Sequence, residues 1–251
     1  MGIMLIRKNE SRFTSMHFVG REKEIGQIRE VLEEGKNVIV SGKYGMGRTR
    51  LIKHISEMMR KETRFLFLDF SETPGKLCER LVTELWPQRK RKGRDQFSRY
   101  RSARFRIVSL NLNDRRKHVL VLDNIAKLSA QKLDFIRYLA WEKRFQFVAI
   151  MESFMSKEDL LRLRVQLFPA EIMRLQRLDQ MDVFAFYQQL SERHGLDWTV
   201  GHLKNLAEIT GGYPLRMEEI ALRELGREGS LVSSSEPHQQ AVRQNRRRSW
   251  S

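Results

Sequence analysis

The run Ser41-Gly42-Lys43-Tyr44-Gly45-Met46-Gly47-Arg48-Thr49-Arg50-Leu51 constrains this chain more than any other stretch. It follows the apolar Asn37-Val38-Ile39-Val40 and opens a segment whose apolar positions, Leu51, Ile52, Ile55, Met58 and Met59, recur at helical spacing. A strand, a glycine-rich turn and a helix in that order bind phosphate. The glycines let successive N–H groups converge on the anion, and the helix N-terminus adds a favourable dipole. The spacing Gly42-x-x-Gly45-x-Gly47-x-Thr49 fits the Walker A loop, G-x-x-x-x-G-K-S/T, at every position except Arg48, which stands where the lysine belongs. A dinucleotide fingerprint would need a third glycine that this loop lacks.

In the phosphate reading, Gly42, Gly45, Met46, Gly47, Arg48, Thr49 and Arg50 are the candidate nucleotide contacts, and the Thr49 hydroxyl is a candidate ligand of Mg²⁺. Arg48 keeps the positive charge but presents a wide planar fork where lysine is a compact point charge. Triphosphate binding is therefore expected to survive better than catalysis. Phosphoryl transfer also needs a carboxylate at a strand tip to hold the Mg²⁺ shell, usually beside a group that activates water. The run Leu120-Val121-Leu122-Asp123 supplies that carboxylate, so Asp123 is the second candidate metal ligand. Its neighbour Asn124 stands where a glutamate would act as base, and an amide orients water without accepting its proton. Hydrolysis is expected to be slow, or to depend on a residue supplied by a partner.

The surrounding pattern predicts an α/β fold. Strands are expected over Arg64–Asp69, His118–Asn124, Phe145–Met151 and Glu171–Leu175, alternating with helices around 76–86, 129–142 and 157–166. Apolar strands alternating with helices argue for a parallel sheet covered on both sides. From Asp179 onward the pattern is helical only, with stripes through Val183, Phe184, Tyr187 and Leu190, through Leu203, Leu206 and Ala207, and through Met217, Ile220, Ala221 and Leu225. The expected organisation is a flexible arm at 1–16, an α/β domain at 17–176, a small helical lid at 177–226 and a disordered basic tail at 227–251.

Composition narrows the partners. A formal net charge of +16 over 251 residues favours a polyanion, with nucleic acid first and an anionic membrane surface second. One cysteine, Cys78, excludes an internal disulfide and any multi-cysteine metal site, and fits a reducing compartment. With no signal peptide and no membrane span, the chain reads as cytoplasmic. The histidines show no metal-ligand spacing, and no strand leads into a G-x-S-x-G elbow.

Taken together, Phe18-Val19-Gly20-Arg21-Glu22, the phosphate loop, Leu120–Asp123 and Gly211-Gly212-Tyr213-Pro214-Leu215-Arg216 resemble P-loop ATPases of the AAA+ and STAND kind, nearest the branch of origin-recognition initiators and transposition helper ATPases. The resemblance covers about 17–226. It implies a P-loop NTPase sheet sandwiched by helices, a C-terminal helical lid, ATP with Mg²⁺ as cofactors, and oligomeric assembly. It further implies that Phe18 and Val19 line the adenine pocket and that Glu152 or Ser153 sits near sensor 1. Arg216 would be the sensor 2 arginine, and Arg164 a finger acting across a subunit interface.

A last stretch bears on the biology. Arg89, Lys90, Arg91, Lys92, Arg94, Arg99, Arg101, Arg104 and Arg106 face a single acid, Asp95, with Phe97, Tyr100 and Phe105 interleaved. Such a pattern suits neutralisation of a nucleic-acid backbone with stacking. The combined expectation is an ATP-binding AAA+-type protein, a homo-oligomer, that uses nucleotide to control assembly on duplex DNA. A transposase or initiator protein is the expected partner, as in transposition or replication initiation. Two alternatives stay open: a STAND-type signalling switch, and a degenerate non-hydrolysing DNA-binding scaffold.

Overall fold

The structure, a computed structural model, describes residues 18–85, 107 and 115–234. The expected arm at 1–16, the basic stretch from Arg89 to Arg106 and the tail from 235 onward lie outside the described residues. The chain divides into two compact units, Arg21–Gln176 and, of the described residues, 18–20 with 177–234.

The first unit alternates as its hydrophobic pattern requires. Helix α1 (Glu22–Glu33) carries Glu22 and Glu24 in its first turn, where carboxylates complement the helix dipole, and buries Ile25, Ile28 and Leu32. Gly35, at φ 80, ends it. Then follow β1 (Asn37–Gly42), α2 (Arg48–Met58), β2 (Thr63–Asp69), α3 (Pro74–Leu85), β3 (Lys117–Ile125), α4 (Ala130–Trp141), β4 (Gln146–Glu152), α5 (Lys157–Gln166) and β5 (Ala170–Arg174). Ser129 and Ser156 cap α4 and α5 by accepting from the N–H groups of Lys132 and Asp159.

The five strands form one parallel sheet in the order β2-β3-β4-β1-β5. The three central strands are buried along almost their whole length, whereas the edge strands β2 and β5 are only partly covered. Apolar residues on both faces therefore describe the centre of the sheet and not its edges. One face packs Ile39, Leu120, Leu122, Phe147, Ala149 and Met151 against α3, α4 and α5 through Leu77, Cys78, Leu81, Phe135, Ile136, Leu139 and Leu163. The alternate residues Val38, Val40, Val119, Val121, Val148 and Ile150 are buried on the opposite face, where α1 and α2 pack on the sheet. The fold is α/β, a parallel sheet with helices on both sides, and the helices that follow it are the C-terminal ones expected.

Those helices make the second unit: α6 (Gln180–His194), α7 (Val200–Thr210) and α8 (Pro214–Ser234). Asp179 and Thr199 cap the first two, and Gly195 and Gly211 end them in the left-handed conformation. Val183, Phe186, Tyr187, Leu190, Leu203, Leu206, Ala207, Met217 and Ala221 form its core, with Val19 packed against it. Residue 226, where the lid was expected to end, lies inside α8. Among the described residues no helix is long and apolar enough to cross a membrane.

Gly212 is where this unit tolerates no side chain. It has φ 70, its carbonyl accepts from Leu178 N at 2.9 Å, and a Cβ there would stand 2.0 Å from the Leu178 carbonyl oxygen. Gly212→Ala is expected to destabilise the helical unit by about 2 kcal/mol or more, since strained backbone and overpacking combine. Denaturant unfolding together with limited proteolysis between 177 and 234 would check it, and a transition unchanged from the wild type would refute it.

Candidate nucleotide site

The loop at the end of β1 is anchored on both sides. Ser153 N donates to Gly42 O at 3.1 Å and Leu175 N to Ser41 O at 2.8 Å, so the residues that follow β4 and β5 stay bonded to the last two residues of β1, where the loop begins. Gly45 and Gly47 take φ 77 and φ 79, conformations that cost a residue with a Cβ. Met46 N donates to Lys43 O at 3.2 Å, and the Met46 side chain is buried, which pins the turn. Gly47 is the N-cap of α2 and offers no side-chain cap. The first N–H groups of a helix have no acceptor within it, so here they are left for a ligand at the carboxyl end of the sheet. The phosphates of a nucleotide fit that cradle.

Arg21 supports the loop from behind. It is buried at φ 72 and donates through Nη1 to Glu24 at 2.7 Å and through Nη2 to Gln176 O at 2.5 Å and Met46 O at 3.5 Å. Its part was missed in the sequence, although it lies inside the Phe18–Glu22 motif.

Arg48 is turned away from solvent. Its Nη1 donates to the carbonyl of Met151 and its Nη2 to the carboxylate of Glu152, at the tip of β4 next to β1. The side chains are 10% and 18% exposed, so this is a largely buried ion pair. Its Cδ passes over Gly42, where a Cβ would come within 3.4 Å.

Thr49 and Asp123 meet across the sheet, Thr49 Oγ1 donating to Asp123 Oδ1 at 3.1 Å. A hydroxyl and a carboxylate so placed fit the inner shell of a Mg²⁺ whose remaining ligands are waters and phosphate oxygens. Among the described residues no three His, Cys, Asp or Glu side chains gather to hold a metal by themselves.

Asn124 sits on a bulge. Leu122 pairs with Ala149 and Ile125 with Met151, which leaves one extra residue on β3, and Asn124 takes φ 59. Asparagine adopts that conformation more readily than glutamate does. Its N–H donates to Asp123 Oδ1 at 2.9 Å and its Nδ2 to Asp69 Oδ1 at 3.2 Å. Asp69 is in register with Asp123 on the neighbouring strand. Burial acts to raise its pKa, but hydrogen bonds from Ser71 and Asn124 and the charge of Arg80 together hold the carboxyl below the ordinary aspartate value. Asp69 drew no attention in the sequence, though Leu68-Asp69 and Leu122-Asp123 are the same strand-ending pattern.

Other expected residues are placed as follows. Arg50 lies half-buried in the first turn of α2, and Arg164 is exposed in the last turn of α5. Phe18, Val19 and Arg216 belong to the second unit, where Phe18 and Val19 are half-buried and Arg216 is exposed at the third position of α8. Arg89, Lys90, Arg91, Lys92, Arg94, Arg99 and Arg101 lie outside the described residues.

Comparison with known proteins agrees with this geometry. Residues 17–150, more than half of the chain, match the AAA ATPase domain family. Among solved structures the chain is similar to Aeropyrum pernix ORC1 in complex with DNA, at a TM-score of 0.61 and 15% identity, covering 83% of this chain and 62% of that one. It is also similar to a variant of Thermotoga maritima RuvB at a TM-score of 0.55 and 15% identity, and to the RuvB Holliday junction branch migration motor of the same organism at 0.52 and 14%. Each of these covers 82% of this chain and 62% of the other. The chain thus spans about 62% of the length of these structures, and at such identity the likeness is one of fold. No curated protein sequence matches it.

The bulge yields a test. Asn124→Glu puts a longer side chain into a left-handed conformation and removes the donor to Asp69. It is expected to cost about 1 kcal/mol and to lower Tm by about 2–4 °C. Calorimetry would show it, and an unchanged or raised Tm would refute the backbone account.

Proposed function

The chain belongs to the AAA ATPase domain family, and we propose that it binds ATP with Mg²⁺ to control its assembly on DNA. The observation that carries this reading is the juxtaposition of an uncapped helix N-terminus behind a glycine loop with the Thr49–Asp123 pair. The loop's backbone holds the phosphates, Thr49 and Asp123 orient the metal shell, and Asn124 orients water without taking its proton. Mg²⁺, when bound, neutralises charge on the phosphates. Turnover is slow or completed by a partner's residue.

Two features support assembly on DNA. Arg164 rises from an exposed apolar stripe, Leu161, Val165 and Phe168, which are 60%, 63% and 81% exposed. A stripe of that kind is suited to a neighbouring subunit, with Arg164 reaching that subunit's nucleotide, and it favours a homo-oligomer. The charge of +16 and the basic stretch from Arg89 to Arg106 favour binding to the phosphate backbone of duplex DNA. One of the similar structures is itself in complex with DNA. A cytoplasmic protein working beside a transposase or initiator completes the reading.

Fluorescent ATP is expected to bind in the presence of Mg²⁺ and to bind more weakly once Thr49 or Asp123 is replaced by Ala; no detectable binding by the wild type would overturn the reading. For DNA, retention on duplex as salt is raised is the measurement. Neutralising Arg89, Lys90, Arg91 and Lys92 should flatten the plot of log K against log salt by about 0.9 for each phosphate no longer neutralised, and an unchanged slope would place the DNA elsewhere on the protein. Leu161→Asp is expected to abolish nucleotide-dependent oligomers in light scattering, and oligomers that persist would count against the α5 stripe.

A further inference from the structure

We propose that Glu152 is a selectivity residue that competes with the terminal phosphate of a nucleoside triphosphate for the Arg48 guanidinium. The proposal rests on the reading of the loop as a nucleotide site and concerns what that site discriminates.

Arg48 occupies the loop position from which a cation reaches the outer phosphates. Its fork is already engaged: Nη1 holds the Met151 carbonyl, and Nη2 holds the Glu152 carboxylate. Both partners lie on β4, which is hydrogen-bonded to β1 along its length and fixed at its end by Ser153 N on Gly42 O at 3.1 Å. The pair is therefore held by rigid backbone on both sides and not by the chance meeting of two long side chains. A carboxylate and a phosphate present the same kind of oxygen pair to a guanidinium. Glu152 thus fills the role on Arg48 that a terminal phosphate would fill.

The exchange is unequal. When Arg48 turns to a phosphate, the Glu152 carboxylate is left at 18% side-chain exposure, without its cation and close to an anion. Separating a buried pair in this way is strongly unfavourable. The first two phosphates of a nucleotide need no such exchange, because they can be held by the backbone N–H groups at the N-terminus of α2. Glu152 thereby weakens the binding of a triphosphate and leaves that of a diphosphate nearly untouched. Lysine at position 48 would leave this competition weaker, since an ammonium cannot bridge a carbonyl and a carboxylate with one rigid plane.

The test is the affinity of the full chain for N-methylanthraniloyl ATP and ADP, each with Mg²⁺, by fluorescence titration. Glu152→Gln, which keeps shape and removes charge, should tighten ATP about tenfold or more, the range that one charge-assisted hydrogen bond spans, while ADP shifts by less than about threefold. In an Arg48→Ala background the same change should leave the ATP to ADP ratio within about twofold, because Glu152 acts through Arg48. Glu152→Asp, which keeps the ion pair possible but shortens the reach, should move the ratio toward ATP by a smaller factor and guards against a misfolded Gln variant. Equal tightening of ATP and ADP would mean a general charge effect and overturn the proposal, as would no change, or a shift that persists without Arg48. Failure of the wild type to bind either nucleotide would overturn the nucleotide reading itself and this inference with it.

Discussion

Pairing of β1 on both of its edges is the constraint from which the rest of the site descends. A parallel strand with neighbours on each side has every backbone group engaged, and β1 lies between β4 and β5 with its residues buried on both faces. Two further hydrogen bonds fasten the last residues of β1, Ser41 and Gly42, to the residues that follow β5 and β4. The glycine turn is therefore held by fixed backbone where the chain reverses, and a helix N-terminus emerges from it without a cap. Because β4 separates β1 from β3, the side chains of α2 must reach over β4 to meet Asp123, and Thr49 does so. The same arrangement brings Arg48 onto the last residues of β4.

The two departures from the usual phosphate-loop pattern have local structural reasons. Arginine at 48 bridges a backbone carbonyl and a carboxylate with one plane, joining the start of α2 to the end of β4. Asparagine at 124 suits a bulge whose backbone is left-handed, and its amide joins the tips of β2 and β3. Asp69, in register with Asp123 one strand over, accepts from that amide. Arg48 thus ties a helix to a strand, and Asn124 ties two strands together.

Much of the fold was legible because it is written in local periodicity. The helix expected near 157–166 is α5, Lys157–Gln166, and the strands from the apolar runs fall within a residue or two of those observed. The glycine spacing pointed to a phosphate loop because φ near 77–79 at Gly45 and Gly47 is a requirement on single residues. What stayed hidden depends on strand order. Nothing in the runs ending at Asp69, Asp123 and Glu152 says that β4 inserts between β1 and β3, and so nothing says which side chain Arg48 or Asn124 will meet. Arg21 was overlooked for the same reason, since its acceptors are Met46 and Gln176, 25 and 155 residues away.

Arg21 has a mechanical consequence. It stands where the chain comes into the α/β unit, and its guanidinium holds Gln176, where the chain leaves it, and Met46, inside the loop. One planar group is thus a junction among three points of the chain that are remote in sequence. The first and last residues of the α/β unit are thereby tied, through one side chain, to the glycine loop between them.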